Sequence, residues 1–175
     1  MKDVIIFIDL SSTDTGLTIL FDDDKTLTYS LKVNEFKDIK DKNERARLKI
    51  KDLSEKMDAV LVNLNILHVV IESPFVNKRF LNSSEILLKM HGFILHKYKD
   101  ITFSYFSPST IKRVVAHNGK ATKEQVIKSI QDLGIILKDE TGNTENDNMY
   151  DSYALMITYN HYKKINDGKL VKTSY

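Results

Sequence analysis

Two uncharged runs that each end in a carboxylate limit the folds open to this chain. Val4-Ile5-Ile6-Phe7-Ile8 runs into Asp9, and Leu67-His68-Val69-Val70-Ile71 runs into Glu72. A continuous apolar run of this length marks a strand buried on both faces of a sheet, which requires helices on either side. Each acid then stands where a buried strand leaves the sheet.

The remaining pattern fits a mixed sheet. A polar turn, Ser11-Ser12-Thr13-Asp14-Thr15-Gly16, leads into a second strand over 17–21, and Asp22-Asp23-Asp24-Lys25 turns into a third over 26–33. These three strands are expected to form an antiparallel meander. The period then changes to that of a helix over 44–65, with Ile50, Leu53, Met57, Val60, Leu61 and Leu64 on one face. Such a helix makes the strand over 67–72 a crossover to a parallel neighbour. A helix over 82–98, a strand over 101–106, short helices over 109–116 and 122–133, and a last helix over 147–163 complete the reading. The expected fold class is α/β: a five-stranded mixed sheet, three antiparallel strands followed by parallel ones, flanked by helices. One domain is expected over 1–165 and a flexible tail over 166–175.

Composition excludes more than it selects. The chain of 175 residues is 42% hydrophobic and 29% charged, the balance of a folded domain with a sizeable core. It has no cysteine, so disulfides, thiolate zinc sites and cysteine nucleophiles are excluded together. The 5 histidines show no pair at metal-ligand spacing and read as surface or packing residues. A net charge of +2 says little about partners, so any nucleic-acid reading depends on where the lysines lie. The strand starting at Val4 leaves no room for a signal peptide, and no apolar run reaches membrane-spanning length. The expectation is a soluble protein of the cytoplasm that does not engage membranes.

Oxygen-only ligation by scattered carboxylates suits Mg²⁺, which retains waters and takes phosphate oxygens for the rest. Asp9 precedes a hydroxyl-rich turn, where it either holds a cation or merely bonds nearby amides. Glu72 either reaches solvent at a sheet edge or sits beside Asp9, where a divalent cation relieves their repulsion. Asp147 and Asp151, spaced i and i+4, share a helical face with Asn148 close by. They serve the helix dipole or, because the helix must pack on the sheet, bring Asp151 inward as a ligand. Asp147 is preferred to Asn148 as the further ligand. Phe75 and Phe80, interleaved with Lys78 and Arg79, suit either a loop anchored by aromatics or the stacking of an unpaired base. Lys112, Arg113, Lys120, Lys123 and Lys128 form a basic concentration that is either a solvated face or a phosphate contact. Lys123 opens a helix, against the dipole preference, which suggests a positional role.

The order of these elements and motifs resembles the RuvC-type Holliday junction resolvases of the RNase H-like nuclease superfamily. The matching pieces are Ile8-Asp9 with Thr15-Gly16, Val70-Ile71-Glu72 with Phe75, Pro108 through Val115, Gly119 through Val126, and Asp151-Ser152-Tyr153-Ala154. Within that group the short, cysteine-free, lysine-rich chain looks most like a phage-encoded member. Two departures stand out: Leu10-Ser11-Ser12 replaces a glycine-richer first turn, and Asn148 stands where the family places an acid or histidine.

The resemblance implies a homodimer that cuts paired strands of a four-way junction or other branched DNA. Asp9, Glu72, Asp151 and Asp147 would bind two Mg²⁺ ions, with Mn²⁺ able to substitute. Lys112 and Lys123 would lie near the scissile DNA, Phe75 would stack on a base, and Lys78, Arg79, Arg113 and Lys120 would contact DNA. The helix over 82–98 would form the dimer interface. The segment from Asp9 to Gly16 is also similar to the first phosphate loop of actin-like ATPases and sugar kinases. Those folds need a second lobe and a second glycine-rich loop, which 175 residues with 6 glycines do not offer. A non-catalytic DNA-binding module is disfavoured because three acids would repel phosphate without a metal. A flap, fork or RNA-processing nuclease of the same superfamily is the nearer alternative.

Overall fold

The structure is a computed structural model that describes residues 1–74, 81–138, 142 and 146–172, without the side chains of 81–83 and 166–172. Its elements, in chain order, are β1 (Lys2–Asp9), β2 (Asp14–Phe21), β3 (Thr26–Lys32), α1 (Lys42–Val60), β4 (Leu64–Glu72), α2 (Leu81–Lys97), β5 (Thr102–Phe106), α3 (Pro108–Ala116), α4 (Lys123–Gln131) and α5 (Asp147–Lys172). The strands form one sheet in the order β3-β2-β1-β4-β5. β1 pairs antiparallel with β2, and β2 with β3, while β4 runs parallel to both β1 and β5. The meander followed by parallel strands is the expected arrangement.

The sheet separates two cores, and strand alternation assigns each side chain to one of them. Ile6, Ile8, Leu17, Ile19, Val69 and Ile71 pack with Leu53 and Met57 of α1 and Met90 and Ile94 of α2. Phe7 and Val70 point the other way, onto Ile111, Val115, Val126, Ile130, Tyr150 and Ala154 of α3, α4 and α5. Asp9 lies two residues beyond Phe7, and Glu72 two beyond Val70. Both acids therefore leave the sheet on the α5 side.

The boundary between α1 and β4 differs from the sequence expectation. Leu61 and Leu64 keep a helical spacing, yet α1 stops at Val60 with Leu61 as its cap. Asn63 takes a left-handed conformation (φ 62°), and Leu64 already opens the strand. The last helix also runs farther than 163, because no proline interrupts it before Lys172. Among the described residues, no helix is long and apolar enough to cross a membrane.

Candidate active site

Parallel pairing carries Asp9 and Glu72 to the same end of the sheet. Ile8 is opposite Ile71, so the two acids exit side by side on strands about 4.8 Å apart. Glu72 is in register with Phe106, and the Ser73 N–H donates to the Phe106 carbonyl at 2.8 Å, which fixes the end of β4 against β5.

The third acid arrives on α5, which crosses the sheet here. Gly16 on β2 lets this happen, because a β-carbon there would stand 1.9 Å from the Asn148 carbonyl oxygen. One turn on, the buried Ser152 hydroxyl sits 2.9 Å from the Thr18 hydroxyl and donates to the Met149 carbonyl at 3.0 Å. Thr18 in turn lies 3.1 Å from the Thr28 hydroxyl. This hydroxyl chain fixes the rotation of α5, and the rotation presents the neighbouring Asp151 to the strand ends.

Lysines come from two short helices. Ser107 caps α3, its hydroxyl accepting from the Thr110 N–H, and Thr122 caps α4 in a reciprocal capping box with Gln125. His117, in a left-handed conformation at φ 54°, ends α3 and turns the chain toward α4. Lys112 and Lys123 thereby face the same space. Asp9, Glu72, Lys112, Lys123 and Asp151 line a cavity of about 240 Å³ together with Pro108, Ile111 and Val126.

The cavity is electrostatically strained. Burial, then the charges of Asp151 and Glu72, push the Asp9 carboxyl from 3.8 up to about 8, against the opposing pull of Lys123. Burial and Asp151 push Glu72 from 4.5 up to about 7, with Lys123 and Lys112 opposing. Burial also raises Asp151, which Lys123 partly relieves by a hydrogen bond of 2.7 Å. Burial works against the Lys123 ammonium, but that bond and the charges of Asp151, Asp9 and Asp147 together hold its pKa above the ordinary lysine value. These are the effects expected when like charges crowd a poorly hydrated site.

The acids share a cavity without being closed into a coordination shell. Among the described residues, no group of three or more carboxylates and imidazoles is already gathered in ion-binding geometry. Asp151 is turned to Lys123 instead. The donor set nonetheless fits a hard cation, since it is all carboxylate oxygen and its members raise one another's proton affinity.

The other candidates divide. Asp147 is exposed on the first turn of α5 and does not line the cavity, though its charge bears on Asp151 and Lys123. Asn148 contributes its backbone carbonyl to the contact with Gly16. Arg113 and Lys120 are exposed, and Lys128 is paired with Asp132 at 3.1 Å, away from the acids. Phe75, Lys78, Arg79 and Phe80 lie outside the described residues. Sequence reading missed the apolar wall formed by Pro108, Ile111 and Val126. Its signal was present, since each lies within a few residues of a predicted lysine on an amphipathic helix.

A sheet of this order, with acids at the ends of two adjacent parallel strands and a third on the helix crossing them, defines the RNase H-like class of nuclease folds. The family model described as crossover junction endodeoxyribonuclease RuvC matches residues 5–159, and the chain belongs to that family. The RuvC of Orientia tsutsugamushi strain Boryong is 27% identical over 157 residues, which is 88% of this chain and 95% of that protein. The strain Ikeda protein is 31% identical over 121 residues, covering 67% and 73% of the two chains. Among solved structures, T. thermophilus RuvC in complex with Holliday junction substrate superposes with a TM-score of 0.65 at 17% identity, covering 93% of this chain and 96% of that one. The yeast mitochondrial Holliday junction resolvase Ydc2 gives 0.55 at 15% identity, over 89% and 76%. At such identities the superpositions establish a shared fold.

Proposed function

We propose that this chain is a divalent-metal-dependent endonuclease that hydrolyses one phosphodiester per subunit in four-way DNA junctions. The observation that carries this reading is the joint placement of Asp9, Glu72 and Asp151 with Lys112 and Lys123 around one cavity, within a chain of the crossover junction endonuclease family. Asp9, Glu72 and Asp151 would hold two Mg²⁺ or Mn²⁺ ions, with Asp147 as an acid at the rim. Bound there, the ions supply Lewis acidity to the attacking water and the leaving oxygen.

The chain's own groups do the rest. Asp9, flanked by the other acids, is the carboxylate whose charge most demands a counter-cation. Lys123 and Lys112 offset the charge that builds on the phosphate. The walls of Pro108, Ile111 and Val126 limit water around the acids, which strengthens these interactions. Phe75, just past Glu72, is assigned the base-stacking role on resemblance alone. A homodimer would present two such sites about a twofold axis, matching the near-symmetry of a four-way junction. The outer face of α2 supports that assembly, since Leu88 and Leu95 are 43% and 42% exposed there and nothing would meet a β-carbon at Gly92.

The deciding experiment is a cleavage assay on mobile four-way junction, fork, flap and linear duplex, with and without Mg²⁺. Junction cleavage that requires Mg²⁺ is the expected result. Preferred cutting of forks or flaps would move the substrate assignment, and metal-independent cutting would overturn the site assignment.

A further inference from the structure

The β1–β2 turn, which carries the chain away from Asp9, is anchored from the opposite side of the sheet. Lys49 lies on α1, in the layer that does not contain the acid cavity, and only 6% of it is exposed. Its Nζ donates to the Ser12 main-chain carbonyl at 2.8 Å. The carboxylate whose charge bears on it, Glu35, is itself ion-paired with Lys37 at 2.8 Å. Desolvation works against the Lys49 ammonium and lowers its pKa, and a methionine would fill the same space without that charge.

The rest of the turn is tied locally. The Thr15 hydroxyl accepts from the Ser11 N–H at 3.2 Å and donates to the Ser11 carbonyl at 3.0 Å. The Val33 N–H donates to the Thr13 carbonyl at 2.7 Å, and Ser30 donates to the Asp14 carboxylate. These bonds tie the turn to itself and to β3 and its end. Leu10 and Lys49 join it to the α1 layer, Leu10 by burial in that core and Lys49 by a directional bond.

We propose that Lys49 is a positioning residue for the acid cavity: its ammonium, reaching from α1 to the Ser12 carbonyl, fixes the β1–β2 turn and with it the exit of Asp9. The inference rests on the nuclease reading for its activity arm and on the fold alone for its structural arm. A small displacement of a reacting group is enough to slow catalysis by orders of magnitude, so the effect falls on kcat and leaves KM in place.

The test uses full-length Lys49→Met and Lys49→Arg. Lys49→Met keeps the wild-type Tm or exceeds it, because a buried charge is gone. Its kcat on four-way junctions at saturating Mg²⁺ falls by roughly 10- to 100-fold with KM unchanged, and Lys49→Arg recovers part of the loss. In metal-free, DNA-free protein, hydrogen exchange of Lys49→Met quickens at the amides of Ser11 to Thr15 and nowhere else. Wild-type exchange and wild-type kcat in Lys49→Met would overturn the proposal. So would a lowered Tm with faster exchange throughout α1 and the sheet, which would make Lys49 a packing residue only. Should the wild type cut no branched DNA, the nuclease reading falls, and the exchange arm alone decides for or against Lys49.

Discussion

Gly16 lies directly beneath Asn148, so close that a β-carbon would stand 1.9 Å from the Asn148 carbonyl oxygen and 3.1 Å from the Ser152 β-carbon. Backbone oxygen cannot move aside as a flexible side chain can. Gly16→Ala is therefore expected to lift the first turns of α5 off the sheet, costing about 1–3 kcal/mol, the range for overpacking. Because Asp151 travels with that turn, cleavage should fall further than the stability loss accounts for. Denaturant unfolding together with single-turnover rates checks both parts, and a Gly16→Ala protein of unchanged stability would contradict the contact.

The hydroxyl chain beside it makes a gentler probe. Ser152 donates to the Met149 carbonyl and contacts Thr18, both side chains being fully buried. Ser152→Ala is expected to cost about 1 kcal/mol, the net worth of a buried hydrogen bond. Thr18→Val, which keeps the shape but leaves the Ser152 hydroxyl without that partner, should cost a similar amount. The double variant should cost less than the sum, since the two residues share one bond. Chemical denaturation of the three variants measures this coupling directly.

The acids make a prediction about pH. Asp9 is raised from 3.8 to about 8 and Glu72 from 4.5 to about 7 in the folded protein, burial being the first cause of each. A raised carboxyl takes up its proton more readily when folded, so its contribution favours folding most at acid pH. That contribution is lost as pH rises through the window from about 4 to about 8. Metal-free protein should lose stability across that window. Asp9→Asn should flatten the decline and be more stable than wild type at pH 8, by on the order of 2 kcal/mol. Thermal melts from pH 4 to 8 in chelator decide it, and a wild-type curve that climbs with pH would show that the acids are not crowded.

Lys123 and Lys112 line the same cavity but are coupled to the acids differently. Lys123 bonds Asp151 at 2.7 Å, whereas Lys112 acts on Glu72 and Asp151 through its charge. Lys123→Ala should lower the cleavage rate by on the order of 100-fold at saturating DNA, and Lys112→Ala by less. Junction binding by gel shift should change little in either. Equal and wild-type rates in both would reduce them to surface charge.

Much of this site could be read from the sequence because strand alternation is strict. Once Val4–Ile8 and Val69–Ile71 are taken as buried parallel neighbours, Asp9 and Glu72 must emerge together on one face. Asp151 was legible for a different reason, since a helix packed on a sheet cannot leave an inward acid unpaired. Its partner, Lys123, was flagged by its awkward place at a helix start. Lys49 was illegible, because a lysine among charged helix residues gives no local sign that it bonds the Ser12 carbonyl of the β1–β2 turn. The α1 boundary was misread because Leu61 and Leu64 continue the helical spacing across a left-handed Asn63, and sequence periodicity does not register backbone handedness. Asp147, one turn before Asp151, is exposed and does not line the cavity, and its charge reaches Asp151 and Lys123 from the rim.

The most direct measurement of the central claim compares wild type with Asp9→Asn on a four-way junction, following both binding and cutting as Mg²⁺ is raised from zero. Wild type should cut only when Mg²⁺ is present, and its metal-bound Tm should rise with the ion. Asp9→Asn should bind the junction, cut it not at all, and show no such rise. Cutting by Asp9→Asn at the wild-type rate, or a Tm that climbs with Mg²⁺ equally in both proteins, would contradict the account.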